Sequence, residues 1–297
     1  MAQMWRCSGL RWAAGGPELV WSGGRASALT WGKRVAFGVV EGGVRTCAGA
    51  RGHACPGRAG VPGRSTGARC EECARLDRAH SVAADAVPDD PRPYHVYLAW
   101  FGPGMVKVGI TAVERGPARL LEQGAVCFSW LGAGPLMAAR RAEELLRAAL
   151  RVPDRIPYAE KRAVRAVLPG TEAERAAEIE ELHGRAVTLG GWPDSLAREP
   201  FRAVDHVRAF GLKGAPRAVG EVSELVAGGV VSGELVAAAG PDLHLATGGR
   251  GVVVLDTRLM TGWGLVPVGG GGAGGEMSVP VRELKGGGGG GLQDGLF

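Results

Sequence analysis

The sequence predicts an α+β protein: a small αβ module, preceded by a cysteine-rich segment and flanked by antiparallel β segments. Between residues 94 and 150, apolar residues first alternate and then recur at helical spacing, which indicates short strands followed by helices. Four cysteines lie just before this stretch, where large aliphatic side chains are scarce. Near both ends of the chain, short apolar runs are separated by glycines, a pattern typical of antiparallel sheets.

Changes in composition divide the 297 residues into segments, and this length is enough for two modest domains with tails. We expect an N-terminal β segment at 1–44, a zinc-binding segment at 45–80, a linker at 81–93, the αβ module at 94–155, a helical segment at 156–200, a C-terminal β segment at 201–268 and a flexible glycine-rich tail at 269–297.

Charge and hydropathy narrow the class of protein. Charged residues make up 22% of the chain and the net charge is +5, so charge alone does not indicate a nucleic-acid-binding protein. The first residues lack the apolar core of a signal peptide, and no apolar run reaches the roughly 20 residues of a membrane span. We therefore expect a cytoplasmic protein without membrane contact, in which clustered thiols bind metal rather than form disulfides.

The N-terminal runs 18–21, 26–31 and 34–40 are separated by glycines and predict a small antiparallel sheet. Within the last run Val35, Phe37 and Val39 share one face, which is the two-residue period of a half-buried strand.

The cysteine segment predicts a structural zinc site. Cys47, Cys55, Cys70 and Cys73 have the spacing C-x7-C-x14-C-x2-C, and four thiolates satisfy a tetrahedral zinc ion. Because the first spacer is longer than usual, His53 competes as a ligand with Cys47 or Cys55. A segment that cannot bury a core of its own would obtain its folding energy from the metal.

The two remaining cysteines, Cys7 and Cys127, fall outside this spacing, and Cys127 lies in a predicted strand. We expect it to be a packing residue.

The module begins with two alternating runs, 95–100 and 106–111, joined by a Gly-Pro-Gly turn. Pro117 at the first helical position and Gly124 after the last turn bound a short helix. A third strand follows, and then a longer helix whose apolar stripe contains Glu143. An inward carboxylate is costly unless it is paired, protonated or bound to a cation, whereas Glu144 lies on the opposite side.

The rest of the chain predicts two helices and further strands. Helices are expected at 158–167 and 171–187, the second with a capping box formed by Thr171 and Glu174. Strands are expected at 251–255 and 264–268.

The order of strands and helices over residues 94–155 resembles the GIY-YIG nuclease module. The residues VYL at 96–98 stand at the first motif, and KVG at 107–109 stands at the second, at a fitting interval from Tyr97. Most of residues 1–268 is also similar to an uncharacterised bacterial family that joins a cysteine cluster to such a module. The pattern of that family, VKVGIT, then arginines and QGA, then ARxxE, is present here.

The resemblance implies metal-dependent cleavage of DNA or RNA. It implies that Tyr97 is the general base or its relay and that Glu143 binds Mg²⁺ or Mn²⁺. It further implies that Arg115 or Arg119 stabilises charge on the phosphate. Lys107 either contacts phosphate or replaces the tyrosine of the second motif.

Departures from the family pattern keep other functions open. Lys107 stands in place of the second tyrosine, Gln123 replaces an expected histidine or tyrosine, and the chain contains no asparagine. One alternative is a non-catalytic, zinc-containing nucleic-acid-binding protein with a degenerate module. Another is a protein-interaction scaffold that uses the flanking β segments. Glu143 pairing with Arg147 one helical turn away would favour a purely structural role.

Overall fold

The computed structural model describes residues 3–79, 90–268 and 276–284, in which helices combine with three sheets built mainly of antiparallel strands. The predicted α+β class is therefore confirmed. The predicted linker at 81–93 lies largely outside the described residues. No helix within the described ranges is both long and apolar enough to cross a membrane.

The first sheet is formed near the N-terminus by three antiparallel strands, β1 (Cys7–Ala13), β2 (Gly16–Trp21) and β3 (Ala26–Ala28). β4 (Arg34–Val39) follows, and its Val35, Phe37 and Val39 are buried as their period predicts. However, β4 does not join this sheet, so the prediction that all the N-terminal runs form one small sheet is wrong for this strand.

The cysteine segment and the module come next. The chain passes through residues 40–70 mainly in turns before α1 (Glu71–Ala79). The module consists of β5 (Pro93–Trp100), β6 (Val106–Ala112), α2 (Ala118–Gln123), β7 (Cys127–Pro135) and α3 (Leu136–Leu150). This is the predicted order. Gly124 ends α2 with a left-handed backbone (φ 72°), as expected for a helix C-terminus.

The second sheet has β5 at its centre, antiparallel to β6 on one side and to β7 on the other. Two short strands, β8 (Ala197–Arg198) and β9 (Val204–Asp205), pair with the outer edge of β7. The sheet therefore has five strands rather than the three that were predicted. The addition is physically reasonable because an open edge leaves backbone N–H and C=O groups unpaired.

Two helices connect the module to the rest of the chain, α4 (Tyr158–Val164) and α5 (Glu172–Thr188). The predicted capping box is present: the Thr171 hydroxyl accepts from the N–H of Glu174, and the Glu174 carboxylate accepts from the N–H of Thr171. A short 3₁₀ turn at Arg165–Val167 extends α4.

The third sheet joins both ends of the chain. Its later strands are β10 (Ala218–Val222), β11 (Val230–Ala239), β12 (Asp242–Thr247), β13 (Gly251–Asp256), β14 (Leu265–Pro267) and β15 (Val281–Glu283). The strand order is β14-β4-β11-β12-β13-β10-β15. β4 pairs with both β11 and β14, so the N-terminal and C-terminal β segments share one core.

Part of the predicted tail belongs to this sheet. β15 pairs with β10, and Met277 and Val279 are buried in the core of the sheet. The prediction of a flexible tail is therefore wrong for residues 276–284, because two apolar side chains follow the first glycine run and are buried in that core. Residues 269–275 and 285–297 lie outside the described part of the chain.

The sheet of the module separates two packed layers. On one face Val96, Leu98 and Trp100 pack with residues of α3 and α5. On the other face Tyr97 and Ala99 pack with residues of α2 and β7. The period of two along β5 thus divides the strand between a purely structural core and the side on which the motif tyrosine lies.

A buried ion network attaches α4 to the third sheet. Arg162 contacts Asp242 at 2.6 Å and Asp256 at 2.5 Å, and Arg165 contacts Asp242 at 2.6 Å. The side chain of Asp242 is fully buried, and that of Asp256 is nearly so. Each charge therefore depends on its partners, since an unpaired buried charge is strongly destabilising.

We expect Lys161 to make the stability of the protein depend on pH. Lys161 is buried on α4, with its ammonium 3.9 Å from the Phe101 ring centroid and 3.0 Å from the carbonyl oxygen of Gln123. Burial lowers its pKa from 10.5 to about 7. Between these values the unfolded chain binds a proton that the folded chain does not, so the free energy of unfolding rises with pH.

Urea unfolding at pH 7 and pH 9 tests this effect. The free energy of unfolding of K161M should increase with pH by about 1–2 kcal/mol less than that of the wild type. K33M, which replaces an exposed lysine, should follow the wild type. An identical increase in K161M and the wild type would show that Lys161 is not the group responsible.

Candidate functional site

Tyr97 lies at the centre of the inner face of the module. It is 1% exposed, and its hydroxyl accepts a hydrogen bond of 2.9 Å from Nε2 of Gln123 on α2. Burial raises the pKa of Tyr97, and the carboxylate of Glu143 also raises it, whereas Arg119 and Arg115 lower it. The predicted site residues therefore lie close enough to act electrostatically on the tyrosine.

The tyrosine ring rests on the glycine of the second motif. Gly109 is the cross-strand partner of Tyr97 on β6. A Cβ atom at Gly109 would collide with the Tyr97 hydroxyl and approach its Cζ to 2.5 Å. Only glycine leaves room for the ring at this position, which is a packing reason for the spacing between the two motifs.

Lys107 stands beside the tyrosine on the same face of β6. Its ammonium is 5.7 Å from the Tyr97 ring centroid and 3.3 Å from the carbonyl oxygen of Asp154. Burial and the charge of Arg119 lower the pKa of Lys107, Glu143 opposes them, and the net value is about 8. The lysine is thus a partly desolvated cation next to a carboxylate.

Glu143 is half-buried on α3, as its place on the apolar stripe predicts, while Glu144 is exposed. Burial raises the pKa of Glu143, and of the nearby cations Lys107 opposes this effect most. Arg147 forms its ion pair with Asp154, at 3.7 Å. The i,i+4 pairing that would have favoured a purely structural role is therefore not the dominant contact of Glu143.

The two candidate arginines lie at the edge of this face and are exposed. Glu122 on α2 contacts Arg115 at 2.6 Å and Arg119 at 3.6 Å. One carboxylate thus holds both guanidinium groups beside the tyrosine, where they are available to solvent and to a phosphate.

Asp154 is an acid that no sequence motif singles out. It follows α3, after Arg151 turns the chain with a left-handed backbone, and it acts on both Lys107 and Glu143. One or two carboxylates, completed by water and phosphate oxygens, are the usual ligands of Mg²⁺. Glu143 and Asp154 thus act on each other electrostatically beside Lys107.

The four predicted cysteines form a metal-binding cluster. Cys47, Cys55, Cys70 and Cys73 place their sulfur atoms within 4.8 Å of one another, with 4.0 Å between those of Cys55 and Cys70. A tetrahedral zinc ion separates its thiolates by about 3.8 Å. The arrangement needs little adjustment to close around zinc.

Two backbone N–H groups donate hydrogen bonds to the sulfur atom of Cys47, the first cysteine of this cluster. The N–H groups of Cys70 and Gly49 donate to Sγ of Cys47 at 3.2 and 3.3 Å. Burial raises the pKa of the Cys47 thiol. Hydrogen bonds, including those from these two N–H groups, lower it by more, and the net value is about 7. They favour the thiolate, which is the form that binds metal.

The alternative ligand His53 is exposed and does not belong to the cluster. It lies instead in the turn between the first two cysteines, where its backbone pairs with that of Ala50. Cys7 and Cys127 are buried elsewhere, as expected of packing residues.

A single buried arginine ties the cysteine segment to the third sheet. Arg45 is 1% exposed and donates to the carbonyl oxygens of Pro62, Ser65, Arg258 and Thr261 at 2.5–3.0 Å. Nothing in the local sequence distinguishes this arginine from its exposed neighbours. Its four acceptors come from two distant stretches of the chain.

A cleft of about 880 Å³ opens between the cysteine segment, the first sheet and turns of the third sheet, and Glu122 of the module reaches its lining. Arg58 and Arg69 of the cysteine segment line one side, and Glu122, Tyr158 and Arg258 line the other. Since Glu122 also holds Arg115 and Arg119, the cleft leads towards the arginines of the module.

The chain matches a known protein family. A family model described as "Protein of unknown function (DUF2797)" matches residues 32–265. The match covers most of the chain, including the cysteine cluster and the module, so the chain belongs to this family. Neither the curated proteins nor the solved structures contain a significant match.

We expect purified protein to contain one zinc ion per chain, measured by atomic emission. C73S should lose most of the zinc, and its melting temperature should fall, because the metal replaces a core that the segment lacks. C127A, at a buried cysteine outside the cluster, should keep its zinc. Full zinc content in C73S would contradict the assignment.

We also expect Gly109 and Tyr97 to be energetically coupled. G109A should lower the free energy of unfolding by about 1–3 kcal/mol, because the added methyl group overpacks the ring. In a Y97A background the same change should cost almost nothing, and a urea double-mutant cycle measures the difference. G184A, where a Cβ meets open space on α5, should not destabilise the protein. Equal costs of G109A in both backgrounds would contradict the contact.

Proposed function

We propose that this member of the DUF2797 family cleaves phosphodiester bonds of DNA or RNA with a GIY-YIG-like module, assisted by Mg²⁺ or Mn²⁺. One observation carries the proposal. Tyr97, Lys107 and Glu143 come from two strands and a helix, yet the Lys107 ammonium lies 5.7 Å from the Tyr97 ring centroid and the Glu143 carboxylate raises the pKa of both residues. This convergence of a phenol, a cation and a carboxylate is what the resemblance to nucleases requires.

The chain offers a side chain for each role. Glu143, assisted by Asp154, would hold the divalent ion, which activates water and neutralises charge on the phosphate when bound. Arg115 and Arg119 would stabilise the negative charge that grows on the phosphate oxygens. Lys107 would bind a phosphate oxygen.

The role of Tyr97 requires one movement. Its hydroxyl is buried and bonded to Gln123, so the residue would act through a water or after Gln123 shifts.

The same burial favours a second function, nucleic-acid binding without cleavage. A tyrosine that is 1% exposed and bonded to an amide is placed as a packing residue would be. In that case the arginines and Lys107 would still contact phosphates, and the zinc segment would form one wall of the cleft described above. Both functions share the phosphate-binding face and differ only in whether chemistry follows.

Cleavage assays with Mg²⁺, Mn²⁺ or chelator test the first function. E143Q should lower the rate of cleavage of single-stranded and duplex DNA and RNA by about 100-fold or more, because it weakens the metal site. Its affinity for the same nucleic acids should stay unchanged. E144Q, with the same change one residue away on the exposed side, should match the wild type.

The outcomes separate the candidates. Tight binding without metal-dependent cleavage by the wild type would favour the non-catalytic function. R119Q and K107M should then each reduce the slope of affinity against salt by about 1, as expected for the loss of one phosphate contact. If the wild type binds no nucleic acid at low salt, both functions fail, and the scaffold interpretation stands.

A further inference from the structure

A second cavity lies away from the module face and the cysteine cluster. It measures about 380 Å³ and is enclosed by α4, the 3₁₀ turn that follows α4, the start of α5, residues 212–218 and the β12–β13 part of the third sheet. This volume lies within the range of pockets that hold small molecules.

The charge of this cavity is one-sided. Its lining contains five basic side chains and no aspartate or glutamate: Arg162, Arg165, Arg175, Lys213 and Arg217. The acids that pair with three of these arginines, Asp242, Asp256 and Asp205, do not line the cavity. The ion pairs therefore fix the arginine side chains but leave the cavity itself without a negative group.

Two residues that line this cavity each have a buried side-chain nitrogen without a partner among the described residues. These nitrogens are Nε of Arg162 and Nε2 of His244. Arg162 uses its terminal nitrogens for the ion network, and its Nε–H donor is left over. A buried donor without an acceptor costs about 1–3 kcal/mol, so an oxygen acceptor at this point would be bound favourably.

His244 offers a neutral donor at this position. Burial, followed by the charge of Arg165, lowers the pKa of His244 to about 4, so the ring is neutral at pH 7. A neutral imidazole carries one N–H, and in the tautomer protonated at Nε2 it can donate this N–H to an oxygen.

The remaining lining defines the rest of a ligand. Leu168, Val207, Leu212 and Val254 provide apolar surface beside the polar end. Lys213 and Arg217 are exposed on the loop at the mouth, where they attract an approaching anion.

We propose that this cavity binds a small organic oxyanion, with its phosphate or carboxylate group between Arg162 Nε and His244 Nε2 and its apolar part against the surrounding aliphatic side chains. The site is separate from the proposed nuclease face and does not depend on it. The two possible acid groups share one recognition chemistry, and the probes below distinguish them.

Calorimetry with the full chain tests the proposal, using phenyl phosphate and benzoate as probes and benzyl alcohol as the neutral control. At least one anion should bind at millimolar concentration and raise the melting temperature, and the alcohol should do neither. H244L should weaken binding of that anion about tenfold, since it removes one donor to the oxyanion. The melting temperature of the ligand-free protein should not fall, because the substitution also removes an unsatisfied polar atom.

A charge-matched pair of variants guards against misfolding and against non-specific binding. K213A/R217A, at exposed positions, should weaken binding about tenfold, whereas K33A/R141A, with the same loss of charge elsewhere, should not. Failure of both anions to bind would overturn the proposal. Equal weakening by the two double variants would also overturn it, and so would binding unchanged in both H244L and K213A/R217A.

Discussion

The position of the module depends on the buried ion network between α4 and the third sheet. Arg162 joins Asp242 and Asp256, and Arg165 joins Asp242 from one helical turn further on. Such a network stabilises little by itself, since burying the charges costs about as much as their attraction returns. Its consequence is specificity, because any other docking of α4 would leave charges buried without partners. Helix α4 also carries Tyr158 and Lys161, which donate hydrogen bonds to carbonyl oxygens at the end of α2. The ion network therefore also helps to position α2, whose Gln123 contacts Tyr97.

The cysteine segment solves a different problem with two devices. It has too few aliphatic side chains to fold by burial, and a metal bound to its four thiolates would provide the missing free energy. The metal alone would leave the segment without a fixed position. Arg45 supplies that position, because its guanidinium joins carbonyl oxygens of the segment to those of the turn before β14. Both devices act through directional bonds, as expected where little apolar surface is available.

The inner face of the module combines packing with chemistry. Gly109 allows the Tyr97 ring to lie flat across the neighbouring strand, and this brings the hydroxyl under α2. Burial then raises the pKa of Tyr97 and Glu143 and lowers that of Lys107, so all three groups are shifted towards their neutral forms. Groups poised in this way are common at catalytic sites, and they also occur in structural networks. Cleavage by the proposed mechanism would therefore depend on access to a hydroxyl that packing has covered.

The sequence by itself determined the local elements and the cluster with local spacing. Alternation, glycine and proline positions and the capping box predicted the strands and helices of residues 93–188, because each of these signals acts within a few residues. The four cysteines were predictable for the same reason, since their chemistry allows few other uses. Only the tertiary structure decided that β4 and β15 belong to one sheet, that Cys55 rather than His53 completes the cluster, and that Asp154 lies beside Glu143. These features join residues far apart in the chain or oriented by a single turn, and their energies depend on burial and on charged partners that no local pattern records.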